Sequence, residues 1–396
     1  MFVMASVVRF CKGVGFLTAI ALSCLTCLVL LIPSVLVLAI PSRRLIKWRR
    51  RQADVVSGLF LDFAAALLVT LCGTKVYIYC NSSRDLLKDK GALIICNHRC
   101  RVDWMYAGWC YAAATRMTPQ LRVVLKESLR SVPLFGWTMQ ILLYIFLERK
   151  RDADLQHIDR SIKYLLRTGD RPAVFLFPEG TDLSPTNVIK NTEYAKEVKL
   201  PEWNYVLVPK SAGLQTCLTT LQGAEAPVHD ITIAYKDFKN GQRPTEKSIL
   251  WGEFPKEIHL CVKRLKPDSI PTDKPMLDRW LRGSFAKKEK LLRSFYENGS
   301  CAISADVPPA NSAERSPQNQ SDDLWPPLVK THIDTKRPIY VMAALIALNI
   351  ASFLYFSWFR WVIYIMIVIC VGIGAAAGGI DKLELLLHSD MILKDN

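Results

Sequence analysis

The chain has 396 residues, enough for one sizeable domain with attachments, and 51% of them are hydrophobic beside 22% charged. Its formal net charge of +15 fits anionic lipid headgroups or a phosphorylated substrate. Nucleic acid is excluded as a partner, because there is no zinc-finger spacing, no RNP-like strand and no long basic helix.

Residues 14–40 carry no charge, and a run of that length crosses a hydrocarbon layer of about 30 Å. Cys24 and Cys27 lie inside it without nearby histidines, so they read as small hydrophobes. No disulfide framework is visible among the twelve cysteines, which points the main domain toward a reducing compartment. The cluster RRLIKWRRR at 43–51 follows. It marks a cytoplasmic flank and suits anionic headgroups. A shorter apolar segment, Val55 to Cys72, carries Asp62. It either spans or lies in one leaflet; the second reading keeps the basic loop and the next domain on the same side. Residues 1–72 are thus expected to be an N-terminal membrane anchor of two apolar helices.

From 73 to 298 the pattern alternates. Strands are predicted at Lys75–Cys80, Leu93–Asn97, Arg122–Leu125, Tyr144–Glu148, Ala173–Phe177, Tyr205–Val208, Ile231–Tyr235 and Ile258–Lys263. Helices fall between several of them, at Trp104–Ala114, Leu155–Arg167 and Leu214–Leu221, and a charged amphipathic helix near Lys274–Asn298 closes the unit. Such alternation predicts an α/β fold with a mainly parallel sheet flanked by helices. Residues 299–335, rich in Pro, Ser, Asn and Asp, read as a flexible linker. Residues 336–380 are expected to form a transmembrane hairpin turning near Phe359-Arg360, between Trp358 and Trp361. Residues 381–396 read as a tail.

Chemistry concentrates where predicted strands end. In Asn97-His98-Arg99-Cys100-Arg101-Val102-Asp103, His98 and Asp103 are five apart. On one continuous helix they would point about 140° from each other. They meet only with His98 in the turn and Asp103 in the first helical turn, where the backbone dipole favours a negative charge. A carboxylate-held imidazole is the arrangement that general-base catalysis on a hydroxyl needs. Phe177-Pro178-Glu179-Gly180-Thr181 follows another strand. Glu179 and Thr181 offer acceptor and donor groups there, and Gly180 permits close approach of a ligand to the backbone. Arg149 ends the apolar run Tyr144–Leu147, poised for bidentate phosphate binding. Lys126 is a similar cation after Val123-Val124-Leu125. The run Val206-Leu207-Val208-Pro209 reads as a strand that walls an acyl site. His157, His229, His259, His332 and His388 lack a comparable carboxylate motif, and no HExxH is present.

In order and spacing these motifs resemble the lysophospholipid/glycerolphosphate acyltransferase family over roughly residues 55–297. Asn97, His98 and Asp103 match its NHxxxxD, Phe146 and Arg149 its F-x-x-R, residues 177–181 its FPEGT, and Val206–Pro209 its proline-ended strand. NHRCRVDWMY, KESLRSVPLFGWTMQ, FPEGTDLS and APVHDITIAY look like the lysocardiolipin acyltransferase branch. Pro209-Lys210 departs from relatives that carry an apolar or small residue after the proline.

The resemblance implies an acyl-CoA-dependent O-acyltransferase of the endoplasmic reticulum membrane, multi-pass, with a cytosolic catalytic domain. Its partners would be acyl-CoA as co-substrate, a lysophospholipid acceptor and membrane lipids, with no permanently bound cofactor and no metal. The expected acceptor is lysocardiolipin, lysophosphatidylinositol or lysophosphatidylglycerol. It also implies His98 and Asp103 as catalytic residues, and Arg149, Glu179, Gly180, Thr181 and Lys126 as binding residues. The alternatives are a 1-acylglycerol-3-phosphate acyltransferase and a non-enzymatic lipid-binding scaffold. A lipid hydrolase should show GxSxG, which is absent. Four apolar segments around a large charged domain make a poor transport core.

Overall fold

The computed structural model describes residues 2–236, 243–298, 325–329 and 332–393. Among the described residues seven strands form one sheet: β1 (Lys75–Tyr79), β2 (Ala92–Cys96), β3 (Leu121–Lys126), β4 (Ile145–Leu147), β5 (Ala173–Leu176), β6 (Val228–Lys236) and β7 (Glu257–Leu265). Their order is β1-β7-β6-β2-β5-β3-β4. Every neighbouring pair is parallel except β6 with β7. Strands β2 to β6 therefore run the same way, and their C-terminal ends share one edge. The loops after β2, β5, β3 and β4, which carry the predicted motifs, all leave from that edge.

The central strands are apolar at successive positions because both faces are covered. Along β2, Ile94 and Cys96 enter one core and Leu93 and Ile95 the other, as the two-residue side-chain period requires. The first core is completed by the helix α1 (Phe2–Leu36), the helix α2 (Arg43–Thr70) and the segment after β2. Helices Arg151–Arg167, Ala212–Leu221 and Lys274–Asn298 complete the second.

One predicted strand is absent. Residues 205–208 are irregular, because side chains replace a neighbouring strand as hydrogen-bond acceptors. The Tyr205 and Val206 N–H groups donate to the Glu289 carboxylate. Leu207 donates to Glu179 and Val208 to Asn191. The helix Pro185–Glu197 was not anticipated, although Ser184-Pro185 is a helix-start signal.

Four described helices are long and apolar enough to cross a membrane: Met4–Leu36, Arg43–Thr70, Lys336–Tyr355 and Ser357–Ala377. They are not equally free to face lipid. The apolar window of α2 is 67% buried within the protein, against 6% for Lys336–Tyr355. Ser57 of α2 donates to Thr118 O, and Phe60 meets Trp109 edge-on, so α2 is also a wall of the domain. The C-terminal hairpin turns at Phe356, slightly earlier than expected. Arg360 then donates to Phe353 O and Leu354 O, satisfying carbonyls that the helix end leaves open.

The stretch 299–335 lies mostly outside the described residues. Its 325–329 portion runs along β1, where Cys80 N donates to Pro327 O and Val329 N to Ile78 O, and Trp325 packs on Tyr79 and Phe295. The stretch after Asp381, read as a tail, is helical to Leu393 and docked. Glu384, fully buried, receives Arg49 at 2.8 Å, Arg50 at 2.9 Å and the Tyr164 hydroxyl at 2.8 Å. Two arginines of the cluster expected to meet lipid headgroups are therefore consumed inside the protein. Arg43, Arg44, Lys47 and Arg51 remain exposed.

Candidate active site

Strand β2 ends at Cys96, and Asn97 carries the pairing one step further. Its side chain donates to Ile233 O and accepts from Ile233 N on β6, which fixes the chain where it leaves the sheet. The next residue, His98, is held on three sides. Its N–H donates to Glu179 Oε1 at 2.8 Å. Its carbonyl accepts from Leu183 N at 2.9 Å. Its ring stacks on Phe177 with centroids 4.2 Å apart.

His98 Nδ1 lies 3.0 Å from Asp103 Oδ2. The chain turns between them, with Asp103 N donating to Cys100 O, and a wide π-type helical segment begins at Trp104. The turn brings the five-apart pair together. Asp103 is fully buried and accepts from three further donors: Cys100 N at 2.8 Å, Cys100 Sγ at 2.9 Å and the Tyr235 hydroxyl at 2.5 Å. Asp103 is the acceptor in all of these bonds, and an acceptor facing Nδ1 selects the tautomer with its proton there. Nε2 is left with a lone pair and makes no hydrogen bond among the described residues. The His98 side chain is 15% exposed, so the ring is reachable.

Glu179, expected to bind substrate, has both carboxylate oxygens engaged within the protein. It is 3% exposed. One carboxylate oxygen accepts from His98 N and the other from Leu207 N at 3.0 Å. It ties the loop after β5 to the loop after β2. Burial pushes its carboxyl up, against the pull of those two N–H groups. Gly180 is exposed with φ +70°, a conformation that favours glycine. Thr181 is half-buried and accepts from Asn187 Nδ2 at 2.7 Å.

Lys126 and Arg149 share the edge but not the immediate neighbourhood. Both are exposed. Strand β4 stands three places from β2 in the sheet, about 14 Å at the usual strand spacing. Arg149 has φ +67°, which turns the chain sharply out of the sheet. Its guanidinium makes no ion pair among the described residues, while the adjacent Glu148 is engaged by Lys382 at 2.7 Å.

Sequence reasoning missed Tyr235. The signal was a phenol at the end of the apolar run Ile231–Ala234, at the same edge as His98. Burial and then Asp103 push its hydroxyl up, so it stays a donor. Three of the other histidines are held by bonds inside the fold. His229 is buried between the Tyr111 hydroxyl and Asp89, His259 lies between the Tyr79 hydroxyl and Glu257, and His388 reaches Leu38 O.

This geometry agrees with what the chain resembles. A family profile described as "Acyltransferase" matches residues 77–234, and one described as "Acyltransferase C-terminus" matches residues 248–329. Lysocardiolipin acyltransferase 1 of Gallus gallus is 32% identical over 86% of this chain and 86% of its own length. The Mus musculus protein of that name is 36% identical over 68% of this chain and 71% of its own. Lysophosphatidylinositol acyltransferase 10 of Caenorhabditis elegans is 30% identical over 70% of this chain and 68% of its own. With a profile across the sheet and relatives matched over most of their length, the chain belongs to the acyltransferase family.

Proposed function

We propose that the chain transfers an acyl group from acyl-CoA to the free hydroxyl of a lysophospholipid. The acceptor is a lysocardiolipin or lysophosphatidylinositol, by analogy with the substrates in the relatives' names, or the lysophosphatidylglycerol that the motif resemblance implies. The observation that carries the reading is the His98–Asp103 pair, with Nδ1 anchored and Nε2 open.

The acceptor hydroxyl gives its proton to Nε2, and Asp103 stabilises the imidazolium that forms. The acceptor oxygen attacks the thioester carbonyl, giving a tetrahedral oxyanion. Collapse expels the CoA thiolate, which the imidazolium reprotonates. No protein nucleophile is needed. The Cys100 N–H is occupied by Asp103, so the oxyanion must draw on other donors. Arg149 and Lys126 hold acceptor phosphate from the β4 side of the edge, with Gly180 and Thr181 lining the approach.

Residues 1–72 and 336–380 anchor a domain of residues 73–298 to the endoplasmic reticulum membrane, facing the cytosol. The buried α2 supports a helix that dips into one leaflet and packs on the domain. The test supplies labelled acyl-CoA to membranes carrying the protein, with lysocardiolipin, lysophosphatidylinositol, lysophosphatidylglycerol and lysophosphatidic acid offered separately. Acceptor-dependent CoA release with any of the first three supports the reading. Preference for lysophosphatidic acid changes the acceptor, and fatty-acid release without an acceptor overturns transfer.

A further inference from the structure

The loop that carries His98 also carries a guanidinium to which the mechanism gives no part. Arg99 is 6% exposed, and its guanidinium carbon lies 4.0 Å from the centroid of the Tyr296 ring. It is paired with no carboxylate among the described residues. Arg243, which follows β6, is near enough to feel its charge. Arg243 is half-buried, and its Nη1 is buried without a hydrogen-bond partner among the described residues. Burial and then the charge of Arg99 push the Arg243 guanidinium down, as two like charges brought together must.

The nearby carboxylates are engaged elsewhere. Asp103 serves His98, Cys100 and Tyr235. Asp182 accepts from Asn187 and lies 3.8 Å from Arg101. A buried cation such as Arg99 without a counter-charge is costly, and a second cation near it adds to the cost. A guanidinium held over an aromatic ring keeps N–H groups free for the fork that matches a phosphate. Tyr296, over which Arg99 lies, accepts from Tyr235 N on β6, so the pair is on the β6 side of His98, whereas Lys126 and Arg149 lie on the β3–β4 side.

We propose that Arg99 and Arg243 form an anion site beside His98 that takes a phosphate group of one of the two substrates. The proposal rests on the acyl-transfer reading for the identity of those substrates, since CoA and lysophospholipid both carry phosphate. A site on each flank of the imidazole gives donor and acceptor separate grips, with thioester and hydroxyl meeting between them.

The test is equilibrium binding by titration calorimetry on the full-length protein in detergent micelles. The probes are CoA and lysophosphatidylglycerol, titrated separately into wild type, R99Q, R243Q and R101Q. R99Q and R243Q should each weaken one probe at least tenfold and leave the other within twofold. Loss of CoA binding assigns the site to the donor, and loss of lysolipid binding assigns it to the acceptor. R101Q removes a charge from the exposed rim and should bind both as wild type does. R243Q keeps the test decisive if the buried Arg99 does not tolerate substitution. Unchanged affinity for both probes in R243Q, an equal loss in R101Q, or a wild type that binds neither probe overturns the site. A wild type that binds both but transfers nothing overturns the proposed function and leaves the site standing.

Discussion

The Tyr235 hydroxyl donates to Asp103 Oδ1 at 2.5 Å while His98 holds Oδ2 at 3.0 Å. The phenol comes from β6 and the imidazole from the loop after β2, so the carboxylate is clamped between two neighbouring strands. Rotation of Asp103 would release both bonds at once. Tyr235 is accordingly a positioning residue that acts through Asp103.

Y235F removes that clamp with little change of shape. A hydrogen bond to a charged group contributes about 1.5–3 kcal/mol, so kcat should fall roughly tenfold or more with KM nearly constant. Steady-state rates against acceptor concentration check this. An unchanged kcat would show that Asp103 is held adequately without the phenol.

For Glu179, a scaffold and a substrate ligand predict different things. E179A strands the N–H groups of His98 and Leu207, each at about 1–3 kcal/mol. The thermal midpoint should drop by several degrees and activity should fall with it. A midpoint equal to wild type, accompanied by a raised acceptor KM, would return Glu179 to substrate binding.

The sheet was legible because its strands are short apolar runs that end in polar turns, and β2 with Asn97-His98 shows it most clearly. Residues 205–208 have the same apolar look, but their N–H groups are taken by Glu289, Glu179 and Asn191. Acceptors from distant positions leave no local pattern. The same reason hid Tyr235 and the docking of Glu384. Each is defined by a partner far along the chain, and only the fold supplies it. The His98–Asp103 pair was readable because both members lie within one turn.

Glu384 makes the C-terminal helix a structural part of the enzyme. Burial alone would raise its carboxyl, but Arg50 and Arg49 hold it below the usual range. E384A leaves those guanidiniums buried without their counter-charge, a loss of about 3–5 kcal/mol. Faster protease cleavage within Ile380–Leu393 should reveal the released helix. Wild-type resistance would mean that the remaining contacts suffice to dock it.

His157 gives an acid-side signature. Burial, then the charges of Arg130 and Lys382, push its imidazole down to about 4. The unfolded chain protonates at about 6.5 and the folded one does not. The stability at stake is full above pH 6.5 and is lost as pH falls toward 4, up to about 3 kcal/mol. In H157Q the thermal midpoint should fall less steeply across that window than in wild type. Parallel profiles would assign the acid sensitivity to other groups.

In the proposed reaction the open Nε2 of His98 takes the acceptor's proton. Initial rates of labelled acyl transfer, measured for wild type and H98A at matched amounts of folded protein, test it most directly. Transfer should fall by at least ~100-fold with the thermal midpoint retained. Near wild-type turnover in H98A would mean that another group takes that proton.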